Sequence, residues 1–127
     1  MQENRKFSIT DRIKSFKYAF NGLKFFFINE HNGRIHLCAA IIVVALSFYL
    51  QLSGLEWSAI LSVISAVIAA EIINSAIEKL ADVVSPEYHP KIKIVKDLAA
   101  AAVLLTAFLA ITIGLIIFLP KLSRIIS

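Results

Sequence analysis

Three long apolar runs separated by short polar breaks dominate the chain. The first extends from Ile35 to Leu52, with His36 and Gln51 as its interruptions. The second extends from Trp57 to about Ile77, and the third, from Leu98 to Leu119, carries no charge. Each approaches the ~20 residues needed to cross a hydrocarbon core of about 30 Å. The pattern predicts transmembrane helices over 35–52, 57–83 and 97–119. Residues 7–29 follow a different rhythm: Ile13, Phe16, Phe20, Leu23 and Phe27 recur at spacings of three and four, with Arg12, Lys14, Lys17, Asn21 and Lys24 on other faces. Such a helix suits the membrane interface; a helix covering the ends of the bundle has the same pattern. The segment Asn29–Gly33 should break it, and Ser85-Pro86-Glu87-Tyr88-His89-Pro90 should form a short, rigid connection before the last span.

The second span ends unlike the others. After an uncharged stretch from Trp57 to Ala70 come Glu71, Asn74, Ser75, Glu78 and Asp82, at i, i+3, i+4, i+7 and i+11. At about 100° per residue these fall within an arc of roughly 100°. A charged residue in the bilayer costs at least ~2.5 kcal/mol on insertion scales, which marks a functional site by default. Small residues also recur every fourth position: Ser58, Ser62, Ala66 and Ala70 lead into Asn74, and Ala102, Thr106, Ala110 and Gly114 follow in the third span. Ridges of this kind let helices approach closely in lipid. They predict that the polar row points into a bundle, and three spans cover such a row best in a homo-oligomer.

Composition sharpens the class. Of 127 residues, 58% are hydrophobic, which excludes an ordinary soluble domain. The whole of 1–127 therefore reads as a single all-α membrane domain. The charged N-terminus lacks the early apolar core of a cleavable signal. Arg5, Lys6, Arg12, Lys14, Lys17, Lys24 and Arg34 precede the first span, and Lys79, Lys91, Lys93 and Lys96 flank the second connection. The turn Gln51–Glu56 has neither Lys nor Arg, while Lys121 and Arg124 form a weaker contrary signal. The positive-inside rule thus predicts a multi-pass protein with its N-terminus and second connection cytoplasmic and its C-terminus outside. Anionic lipid accounts for the net charge of +4 without nucleic acid. Cys38 is the only cysteine, so no internal disulfide forms.

The candidate chemistry rests on oxygen: Glu30 before the first span, and Glu71, Glu78 and Asp82 on the second. Hard cations such as Mg²⁺ take carboxylates together with substrate phosphates. Glu78 lies about 10 Å along the helix from Glu71, so one ion cannot bind both directly. Glu71 is placed to act as a general base toward a membrane-dissolved hydroxyl, and Glu78 to hold a metal. His31, His36 and His89 are scattered and offer no zinc cluster. Lys96 suits a phosphate contact, and equally a snorkelling lysine with Asp97 as a helix-capping carboxylate. The four glycines are isolated, which excludes P-loop and soluble protein-kinase mechanisms. A non-enzymatic ion relay or assembly protein remains open on these residues alone.

The run EIINSAIEKLADVVSPEYHPKIKIVKDLAAAAVLL, residues 71–105, resembles the prokaryotic diacylglycerol kinase family, and the likeness extends upstream to NGLKFFFINEHNGRIH, residues 21–36. The resemblance implies a homotrimer of three-span subunits, each with an interfacial N-terminal helix and with active sites shared between neighbours. It implies transfer of the γ-phosphate of MgATP to a membrane lipid alcohol, diacylglycerol or undecaprenol. By the same resemblance Glu71 is the base that meets the lipid substrate, and Asn74 supports it by hydrogen bonding. Glu30 and Glu78 bind Mg²⁺ at the ATP phosphates, and Tyr18, Glu87, Tyr88, His89, Lys96 and Asp97 match nucleotide-contacting positions. Asp11 stands where some members have an Arg, with Arg12 beside it, and Ala100 replaces a family Ser. Arg34-Ile35-His36, the Ala-rich start of the third span and the Phe-Leu-Pro-Lys ending look like the branch that includes undecaprenol kinases.

Overall fold

The computed structural model describes residues 6–127; Arg5, counted above among the flanking cations, lies outside the described residues. Four helices follow one another: α1 (Ile9–Asn29), α2 (His31–Tyr49), α3 (Gly54–Val84) and α4 (Pro90–Ile126). The last three are long and apolar enough to cross a membrane. Ile41, Ile42, Leu104, Leu105 and Phe108 point outward, as side chains solvated by lipid must.

Glu30 alone separates α1 from α2, its backbone extended at φ −90° and ψ 129°. The break is shorter than the five residues expected. Gly33 makes this corner possible, since a Cβ there would lie 2.1 Å from the Phe26 carbonyl oxygen. Phe26 is the buried residue of α1, and the apolar side chains of Ile13, Phe16 and Phe20 remain exposed. Within one chain α1 therefore does not cover the bundle.

The opposite end is closed by a tight turn. Gln51 takes φ +54°, Leu52 N–H donates to the Ser47 carbonyl at 3.2 Å, and Gln51 N–H to that of Phe48 at 3.2 Å. These two bonds satisfy the last carbonyls of α2, at a cost of about 1 kcal/mol for a side chain in the left-handed region. Ser53 then caps α3: its Oγ accepts from Glu56 N–H at 3.2 Å, and Glu56 Oε1 accepts from Ser53 N–H at 2.9 Å. α3 thus starts at Gly54, three residues before the apolar run. Leu50, Leu52, Ile60 and Ile117 form the core beneath this turn, with Val43, Trp57 and Phe118 against it.

Proline placement corrects the expected limits of α4. Pro90 begins the helix instead of delaying it, because its missing N–H falls where no helical partner exists. His89 is the cap, its Nδ1 accepting from Lys91 N–H at 3.1 Å. Asp97 consequently lies inside α4, bonded to Lys93 at 2.6 Å, and does not cap it. The helix also continues through Pro120 to Ile126. Membrane helices accommodate a Pro where neighbouring groups satisfy the freed carbonyl.

The packing face of α3 differs from the small-residue ridge read in the sequence. Ile60, Val63, Val67, Glu71, Asn74 and Ala81 are buried, whereas Ser58, Ser62 and Ala66 are exposed. A strict four-residue spacing advances 400° per step, so such a ridge winds about 40° around the helix at each repeat. Only its lower part, at Asn74, meets the buried stripe. α4 is the main partner of α3 within the chain.

Candidate functional site

Glu71 continues the apolar stripe of Ile60, Val63 and Val67, and the same helical register that buries those side chains buries its carboxylate. It is 6% exposed. His36, in the second turn of α2, places Nε2 3.0 Å from Glu71 Oε1. The other oxygen, Oε2, is buried and has no hydrogen-bond partner. An ionised carboxylate in that state is costly unless a ligand or proton completes it. Below the pair opens an apolar cleft of about 380 Å³, lined by His36, Ala39, Ala40 and Val43 of α2, by Ile64, Val67 and Ile68 of α3, and by Ala107, Ala110 and Ile111 of α4. The small side chains of α2 and α4 leave this space, and His36 is the one polar residue lining it.

One turn further along α3, Asn74 is 8% exposed. Its amide nitrogen donates to Glu78 Oε1 at 3.4 Å, and its Oδ1 is buried without a partner. The expected hydrogen bond from Asn74 to Glu71 is therefore replaced by one in the opposite direction along the helix. A spacing of four faces Asn74 toward Glu78, while the Glu71 carboxylate turns across to α2. Glu30, at the α1–α2 corner, accepts from Lys79 Nζ at 2.7 Å, and that ammonium lies 5.2 Å from the Phe25 ring centroid. Lys96 Nζ reaches across from α4 to Asp82 of α3 at 2.6 Å.

Three levels therefore follow one another along α3: His36–Glu71, then Asn74–Glu78 with the Lys79–Glu30 pair beside it, then Asp82–Lys96. Glu87, Tyr88 and His89 are exposed and border a separate cleft of about 180 Å³ with Lys93 and Lys96. Tyr18 is 65% exposed and lines a third cleft built from α1, with Asp11, Arg12 and Ser15. One chain thus gathers the carboxylates along α3 but leaves Tyr18 in a different cleft from them. Among the described residues no group of three or more His, Cys, Asp and Glu side chains surrounds a single point. The donors nonetheless suit a hard cation: Glu30 and Glu78 offer carboxylates, Asn74 Oδ1 lacks a partner, and a cationic Lys79 already sits on Glu30.

Two participants escaped the sequence reading. His36 was visible as a lone ionisable residue in an apolar span, a signal that favours function in a membrane, but its partner lies on another helix. Lys79 was counted only as a flanking positive charge.

The family described as prokaryotic diacylglycerol kinase matches residues 17–118. The chain is 39% identical over 110 residues to undecaprenol kinase of Bacillus subtilis, an alignment covering 87% of this chain and 89% of that protein. It is 35% identical over 111 residues to a diacylglycerol kinase of Synechocystis, covering 87% of this chain and 63% of that protein. It is 32% identical over 108 residues to diacylglycerol kinase of Escherichia coli, covering 85% and 88% of the two chains.

Proposed function

The chain belongs to the prokaryotic diacylglycerol kinase family, and on that premise we propose how its α3 carboxylates phosphorylate a lipid. It is a multi-pass membrane lipid kinase, which displaces the ion-relay and assembly readings. Its reaction moves the γ-phosphate of MgATP onto the hydroxyl of a membrane lipid alcohol.

The observation that carries this reading is the free, buried Oε2 of Glu71, whose hydrogen-bonded neighbour His36 lines an apolar cleft. The lipid tail lies in that cleft and its hydroxyl meets Glu71. The hydroxyl proton passes to Oε2 as the new oxygen–phosphorus bond forms and the bond to the ADP oxygen breaks. Positioning and charge neutralisation carry most of phosphoryl transfer. Glu30, now paired with Lys79, and Glu78 would hold Mg²⁺. Bound there, the ion neutralises charge on the ATP phosphates. Lys96 supplies a positive charge at the same end of α3, and Tyr18, Glu87, Tyr88, His89 and Asp97 contact the nucleotide.

The same reading places the N-terminus and the α3–α4 connection in the cytoplasm, the protein in the bacterial inner membrane, and α1 in the interface, where its exposed apolar side chains meet lipid. A homotrimer completes the site. The exposed Ser58, Ser62 and Ala66 allow close approach of a second copy, and the separation of the Tyr18 cleft from Glu71 suits a site assembled from two chains.

Diacylglycerol is the first acceptor reading, from the names of the Synechocystis and E. coli relatives. The higher identity to the B. subtilis protein favours undecaprenol as the second. Purified protein in lipid, given labelled ATP and both alcohols, yields a phosphorylated lipid and ranks the acceptors. No labelled product from either alcohol or a wider panel would remove the proposal. Mixing inactive Glu71→Gln and Lys96→Ala chains restores part of the rate if those residues act from different subunits.

A further inference from the structure

A base with two carboxylate oxygens works on one proton, so something must decide which oxygen is presented. In this molecule the decision falls to α2. We propose that His36 is the positioning residue for phosphoryl transfer: its Nε2–H holds Glu71 Oε1, leaving Oε2 to take the proton from the lipid hydroxyl. This rests on the reading of Glu71 as the general base.

The geometry restricts the alternatives. Asn74 donates to Glu78, Lys79 to Glu30 and Lys96 to Asp82. Among the described residues His36 is thus the hydrogen-bonding neighbour of Glu71, at 3.0 Å. Two unprotonated acceptors at that distance would repel, so a proton lies between them; with Glu71 ionised it sits on Nε2. During transfer the lipid O–H bond breaks and its proton arrives at Oε2, while His36 keeps its own proton throughout. His36 also lines the apolar cleft. The imidazole therefore touches both the base and the volume assigned to the lipid tail, and it fixes the angle between them.

The test compares His36→Leu, which removes the donor, with His36→Gln, whose side-chain nitrogen can occupy nearly the same point. Losing alignment of a reacting group costs roughly 10²-fold. The leucine variant should lose about 30- to 100-fold in kcat, with KM for MgATP and for the lipid changed less than about twofold. The glutamine variant should recover to within about fivefold of the parent. In a Glu71→Gln background, His36→Leu should cause no further loss of residual rate, because His36 acts only through that carboxylate. If the leucine variant does not purify as folded protein, the glutamine variant decides alone: within about fivefold supports the role, and a loss beyond about 30-fold overturns it. A leucine variant with kcat near the parent's, or a glutamine variant as slow as the leucine one, would also overturn it. Glu71→Gln, assayed alongside, separates the two levels: if it is inactive while His36→Leu is normal, only the positioning role fails. If Glu71→Gln itself turns over normally, the base assignment fails with it.

Discussion

The two halves of α3 share one buried face and use it in opposite ways. Toward Gly54, Ile60 is 1% exposed and packs with Leu50, Leu52 and Ile117 under a doubly hydrogen-bonded turn and a reciprocal cap. Lys121 adds an ion pair to Glu56 at 3.1 Å. In that half the buried apolar side chains meet partners and the turn carbonyls are bonded. Toward Val84, the same stripe presents Glu71 and Asn74, each with a buried oxygen lacking a partner. The difference is instructive: the closed end fixes the helices to one another, which lets the other end hold polar groups in an unsatisfied arrangement. Packing within one chain leaves these two oxygens unpaired.

The sharpest way to break this contrast is Glu71→Gln. Phosphoryl transfer should fall roughly 10²- to 10⁴-fold, with MgATP binding and thermal unfolding in detergent little changed. Near-normal turnover would place the chemistry elsewhere. Ile60→Ala probes the closed half. It should lower stability by about 2–4 kcal/mol from the cavity left behind, read as a reduced unfolding temperature, while kcat per folded molecule stays near the parent's. A large loss of kcat in folded protein would show that the halves are not separable.

Glu30→Gln and Glu78→Gln, changed one at a time, should each raise the Mg²⁺ needed for half-maximal rate and increase KM for ATP about tenfold, roughly 1.4 kcal/mol. An unchanged Mg²⁺ dependence in both variants would remove the metal assignment. The smallest effect belongs to Ser53→Ala, which deletes one side of the cap on α3. A loss of about 1 kcal/mol, with Mg²⁺ and ATP dependence untouched, would complete the contrast from the stable end.

Much of this was legible from the chain alone. The three apolar runs, the carboxylates within one arc and the family resemblance are properties of a single helix or of a short linear stretch, and periodicity reports them directly. Helix limits were less so. Pro90 read as part of a helix break, yet it begins α4, since a proline's effect depends on which backbone bond it removes.

The partners of the polar groups were decided only by tertiary structure. No spacing in the sequence relates His36 to Glu71, thirty-five positions apart, or shows that Lys79 reaches Glu30. Those pairings depend on the register of α2 against α3, which follows the left-handed turn at Gln51, and on the α1–α2 corner, where Gly33 lies against Phe26. Periodicity determines which face of a helix is polar; the packing between helices determines what that face meets.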